Sequence, residues 1–181
     1  MSSILLTSLV LAAALVFVGF RRALQAYLKF RGQRLVSCPE TRRPAAVRVA
    51  AATAAWRATR GSQDHELSAC SRWPERKDCA QVCLAQIEEA PKACLVSTIV
   101  NRWYEGQQCV YCHKPFQTIH WHDRPPALLA WGDRKTVQWN QVPAHQLQET
   151  LGTHWPVCWS CHMAETFRRE HSELVIDRPA H

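Results

Sequence analysis

At 181 residues, with 22 Lys and Arg against 15 Asp and Glu and nine cysteines, the chain has room for one or two small domains. An odd cysteine count excludes a fully paired disulfide framework within one chain. The surplus of positive charge is confined to residues 21–60, which argues against a nucleic-acid reader, since such a protein carries its charge on the globular face.

Residues 4–20 (ILLTSLVLAAALVFVGF) contain no charge. As a helix they would run about 26 Å at ~1.5 Å per residue, the short end of a bilayer span. Ala23, Leu24, Ala26 and Tyr27 continue the helical composition, so the rod is expected to pass beyond the membrane surface. A cleaved signal peptide needs a basic segment before the apolar run and a small-x-small site after it. Only Met1-Ser2-Ser3 precedes the run and Gly19-Phe20-Arg21-Arg22 follows, so a retained anchor is expected.

Residues 21–60 hold ten basic side chains (Arg21, Arg22, Lys29, Arg31, Arg34, Arg42, Arg43, Arg48, Arg57, Arg60) against Glu40 alone. Positive flanks remain cytoplasmic. The expectation is therefore a single-pass protein of the inner membrane with its C-terminal domain in the cytoplasm. Basic residues beside the bilayer attract anionic lipid headgroups by about 1 kcal/mol each. In a reducing compartment, cysteines are expected to bind metal rather than to pair.

Three segments follow from the pattern: 1–34, the transmembrane helix and basic juxtamembrane stretch; 35–105, a hairpin and helix module; and 106–181, a second cysteine module. The chain has no repeat at solenoid spacing. Ala46-Val47-Arg48-Val49 alternates as a strand, residues 50–59 read as a short helix or its continuation, and residues 65–69 as a second strand. Asp78 is placed to cap a helix over residues 79–90, and a further helix from Lys92 carries Leu95, Ile99 and Trp103 on one face. In the second module, Ile119-His120-Trp121-His122 and Thr136-Val137-Gln138-Trp139 alternate, predicting a hairpin with an excursion through Arg124-Pro125-Pro126. A short helix carrying Leu147 and Leu151 inward follows Pro143, and a last one runs from His162 to His171.

Cys109-x-x-Cys112 and Cys158-x-x-Cys161 carry the strongest signal. A tetrahedral zinc takes four thiolates at ~2.3 Å, and a two-residue spacer turns both sulfurs of a pair toward one ion. A knuckle (CVYCHKP), a hairpin and a pair on the first turn of a helix (CWSCHMAETFRRE) resemble a treble-clef zinc finger. The resemblance covers residues 107–171 and implies a structural four-cysteine site. The 45 residues between Cys112 and Cys158 imply an insertion.

Each pair is followed by a histidine, His113 and His162, so each also resembles a c-type haem attachment site. Haem c would use those histidines as iron ligands, with His120, His122, His145, His154 or His171 as second axial ligands. Covalent haem attachment takes place outside the bacterial cytoplasm, opposite to the expected orientation, and would leave five cysteines over. The string also resembles HNH nucleases, with His120, His122, Asp123 and Asn140 between the pairs. The Asp-His order of that family is absent, Asn140 lies far upstream of Cys158, and the globular part has no excess of positive charge to hold DNA.

Cys38, Cys70, Cys79 and Cys83 form a second group, with Cys79 and Cys83 one helical turn apart. They are expected to hold a second zinc, or alternatively an iron–sulfur cluster; as buried hydrophobes they would instead be packing residues. Cys94 is expected in the core. Eight tryptophans supply apolar area to a small domain, and a share of them would suit a protein partner.

The fold class expected is α+β: one transmembrane helix and a small metal-stabilised domain with a treble-clef-like module. The expected function is a membrane-tethered, non-enzymatic zinc module, an adaptor or accessory subunit, with a membrane-anchored dihaem electron carrier as the alternative. The pattern as a whole resembles small cysteine-rich membrane-anchored proteins of bacteria whose function is unknown.

Overall fold

The computed structural model describes residues 2–62, 64–75, 78–121, 123–133 and 135–174. The chain mixes helix and sheet and divides into two compact units, Met1–Val96 and Ser97–His181.

The first unit opens with α1 (Ser2–Phe30), whose apolar residues from Ile4 to Phe20 are exposed on all sides. A helix so apolar and so bare is long enough to cross a membrane. Its last turns do not end in a free linker. They pack on α2 (Ala51–Thr59), and Phe30 sits in the core of the unit against His65, 4.0 Å between ring centres.

Gly32 ends the helix with φ of 94°, a left-handed conformation that glycine adopts without a Cβ penalty. Arg34, two residues on, turns back on the terminus it has just left. Its Nη1 donates to the carbonyls of Phe30 at 2.6 Å and of Arg31 and Gly32 at 3.2 Å each, and its Nη2 donates to that of Lys29. The carbonyls at a helix C-terminus carry partial negative charge and lack partners within the helix, and the guanidinium supplies both donors and charge. Arg34 is wholly buried, so one of the ten basic residues expected to face lipid is instead the cap of α1.

A three-stranded antiparallel sheet follows, in the order β1-β2-β3: β1 (Gln33–Ser37), β2 (Pro44–Val49) and β3 (Leu67–Cys70). The sequence pattern anticipated β2 and β3 but not β1, which a single turn joins to β2. Leu95 bridges Arg34 at the outer edge of β1, and the Cys94 carbonyl accepts the Leu35 N–H at 2.8 Å. Cys94 is thus half-buried at a sheet edge rather than in the core.

The helix expected over residues 79–90 is only α3 (Leu84–Glu89). Gln81 has φ of 52°, which breaks any helix passing through it, while its side-chain oxygen accepts the Leu67 N–H at 2.9 Å. Cys79 and Cys83 therefore do not share a helical face. α4 (Val96–Tyr104) buries Val96, Val100 and Tyr104, the row next to the expected Leu95, Ile99 and Trp103.

In the second unit the hairpin lies further along than expected. Residues 119–121 form no strand; β4 (Ala127–Ala130) pairs with β5 (Thr136–Gln138), and β6 (His154–Val157) joins its other side. β4 is buried along nearly all its length, and such a central strand reads as a continuous apolar run rather than an alternation. α5 (Leu147–Thr153) buries Leu147 and Leu151 as expected, and α6 (Trp159–Glu170) follows β6 after Cys158. Tyr104 is buried beside Phe116, 4.8 Å between ring centres, and donates its hydroxyl proton to the Ala127 carbonyl at 2.8 Å.

Candidate metal centre

Cys109 and Cys112 lie on a tight turn closed at its base by a bridge between Gln108 and Pro115. The Cys109 N–H donates to the Lys114 carbonyl at 3.0 Å, and the His113 N–H donates to the Cys109 carbonyl at 2.8 Å. His113 itself takes φ of 56°, the left-handed geometry that lets the chain double back after the second cysteine. The Val110 N–H donates to the Pro156 carbonyl at 3.0 Å, which fastens the turn to the end of β6. Two residues later Cys158 caps α6, and Cys161 lies on its first turn.

The four sulfurs all lie within 4.8 Å of one another. Cys112 Sγ and Cys158 Sγ are 3.8 Å apart. Two thiolates on one tetrahedral ion at ~2.3 Å stand ~3.8 Å apart, so the spacing is that of a metal site. No disulfide links them. Cys109 is fully buried, and Ala127, Leu129, Val157, Val110 and Phe116 form a dry shell around the group.

The electrostatics of the thiols follow from this packing. Burial pushes Cys109 up, but backbone N–H groups of Cys158, Cys112 and Tyr111 outweigh it and hold its thiol below the usual range. One of these bonds, from the Cys158 N–H to Cys109 Sγ, is 3.3 Å long. Cys158 and Cys161 are raised, chiefly by burial and, for Cys161, by hydrogen bonding among the neighbouring thiols. A metal entering the site must therefore displace protons, which is how a cation competes for thiolate ligands. The donor set and spacing fit a thiophilic ion such as zinc. Among the described residues no other group of three or more metal-binding side chains draws together so closely.

His162 is one residue beyond Cys161 and only 8% exposed. Its Nδ1 lies 2.7 Å from Thr136 Oγ1, tying α6 to β5, and burial followed by the Arg169 charge holds its pKa down. His162→Ala should leave the metal content unchanged while lowering stability by about 2 kcal/mol, the loss of a buried hydrogen bond and of packing volume. Thermal unfolding alongside metal analysis checks both halves. Nothing in the sequence pattern distinguished this buried histidine from an iron ligand.

His113, His120, Asp123 and Asn140 are exposed and none joins the cysteine group; His122 lies outside the described residues.

Four of the other five cysteines, Cys94 excepted, line one cavity of the first unit. Cys38 follows β1 in a turn, Cys70 ends β3, Cys79 precedes the Gln81 bend, and the buried Cys83 caps α3. Cys83 is raised by burial first and then by the Cys70, Cys79 and Cys38 thiols nearby. Cys38 goes the other way: burial is outweighed by hydrogen bonds from Thr41, Arg72 and the Glu40 backbone, which bring it down to about 7.

These features define a class, an α+β protein with a membrane-length N-terminal helix and a four-cysteine cluster able to bind metal. No protein-family model, curated protein or solved structure matches the chain.

Proposed function

We propose that the protein is a membrane-tethered zinc module, non-enzymatic, which acts as an adaptor or accessory subunit at the cytoplasmic face of the inner membrane. The observation that carries the metal reading is the convergence of Cys109, Cys112, Cys158 and Cys161 within 4.8 Å. The succession of knuckle, β4–β5 hairpin and α6 supports a treble-clef relationship, with α5 and β6 accounting for the long spacing between the pairs. It also weighs against the dihaem alternative. Haem would be gripped by each CxxC pair separately, whereas here the pairs share one point and the His162 ring is occupied by Thr136.

Tethering is supported by the continuity of α1 with the first unit. Between Phe20 and the buried Phe30 the helix rises about 15 Å, and Arg34 caps it, so the first unit would be joined to the membrane span by continuous helix rather than by a flexible leash. Exposed Trp56, Trp131 and Trp155 offer aromatic surface for a protein partner. Anionic lipid would meet the remaining basic side chains of residues 21–60.

Two measurements test the reading. Metal analysis of the purified protein should find zinc on the distal site. A reporter fused after His181 should be active in the cytoplasm; active alkaline phosphatase at that position would mean the opposite orientation and remove the cytoplasmic adaptor.

A further inference from the structure

Cys83 belongs to the core of the first unit, with Cys38 and Cys70 packed against it, yet these three and Cys79 also border one open space. Cys38, Cys70, Cys79 and Cys83 line a cavity of about 70 Å³ whose remaining wall is largely apolar. They arrive from separate places, and the Gln81 bend at φ of 52° is the device that lets both Cys79 and Cys83 reach it.

The spacing separates two kinds of occupant. A single tetrahedral ion draws its sulfurs to about 3.8 Å, as at the distal site. No three of these cysteines come together as closely as the distal four do. Thiolates bound to different metals of one cluster stand further apart than thiolates on one ion, and an inorganic core occupies the space between them.

Two donors belong to residues that line the cavity. Arg72 Nη1 lies 3.0 Å from Cys38 Sγ, a cation at one thiolate of the ring. Trp73 lines the cavity too, and its buried indole N–H has no partner among the described residues. A buried donor calls for an acceptor. The sulfurs of a bound metal centre, thiolate or sulfide, would supply one, and N–H groups directed at sulfur are among the means by which a protein tunes an iron–sulfur centre.

We propose that Cys38, Cys70, Cys79 and Cys83 hold an iron–sulfur cluster in the cavity of the membrane-attached unit. The proposal deepens the reading of a cytoplasmic metal module and rests on it for the reducing compartment, but it concerns a site separate from the zinc tetrad.

The test uses the full chain in detergent, purified anaerobically and reconstituted with ferric iron, sulfide and a thiol reductant, so that the added iron supplies the ferric ions of the oxidised cluster and the thiol reduces the remainder. Iron and acid-labile sulfide should appear in equal amounts, about two or four of each per chain. The protein should be brown, and dithionite should bleach it. Cys79→Ser with Cys83→Ser should remove iron and sulfide and leave the zinc, whereas Cys109→Ser should remove zinc and leave iron and sulfide. Two zinc ions per chain without sulfide would overturn the cluster in favour of a second single-ion site. One zinc with no iron after reconstitution would overturn it in favour of packing cysteines. Both of these outcomes leave the distal zinc reading standing, and both are read on the unmutated protein, so a variant that fails to fold does not blunt the test.

Discussion

Cys109→Ser will cost the second unit its fold. Cys109 is fully buried, receives the Cys158 N–H on its sulfur, and is one of four thiolates within 4.8 Å. Structural zinc binding is worth on the order of 10 kcal/mol of folding free energy in small domains, more than such a unit can lose and remain folded. The substituted protein should lose its zinc together with the near-ultraviolet signal of the tryptophans in residues 97–174. A strong chelator should reproduce the effect on the unmutated protein. Acid should do so as well, because burial raises the Cys158 and Cys161 thiols and each falling unit of pH favours the proton over the metal. Retention of zinc and fold in Cys109→Ser would contradict a four-cysteine site.

The second large effect is expected at Arg34, far from either cysteine group. Its guanidinium supplies donors to four carbonyls at the end of α1 and is wholly inaccessible to solvent. Arg34→Met keeps most of the volume and removes every donor and the charge. The stranded carbonyls and the unopposed helix terminus should cost about 3 kcal/mol or more. Arg34→Lys, with one compact ammonium in place of a planar fork, should recover part of that. Denaturant unfolding in detergent will read the difference, and the second unit should keep its zinc. If Arg34 served only to attract lipid, Arg34→Met would unfold like the unmutated chain.

The two sites differ in how far a linear reading reaches. Both partners of a CxxC pair are local, and a chain has few ways to place two sulfurs two residues apart except inward, so the distal tetrad was visible in spacing alone. The same holds for residues 4–20, where the absence of charge is itself the property a bilayer selects, and for Leu147 and Leu151, four apart on one helix face.

What the spacing of the first group left open was decided by long-range geometry. Cys38 and Cys70 line one cavity because β1 and β3 flank β2 in one sheet, and β1 carries no alternation strong enough to announce itself. The helical register expected for Cys79 and Cys83 failed at Gln81, whose left-handed backbone is paired with a side-chain bond to β3. β4 was hidden because a strand buried on both faces loses its period of two. Arg34 was one arginine among ten until the chain folded back and made it the cap of the helix before it. Composition and spacing thus determined by themselves the membrane-length helix and the four distal cysteines that draw together. Strand pairing and side chains reaching across the fold decided which charge is buried, which histidine is structural, and that Cys38, Cys70, Cys79 and Cys83 line one cavity.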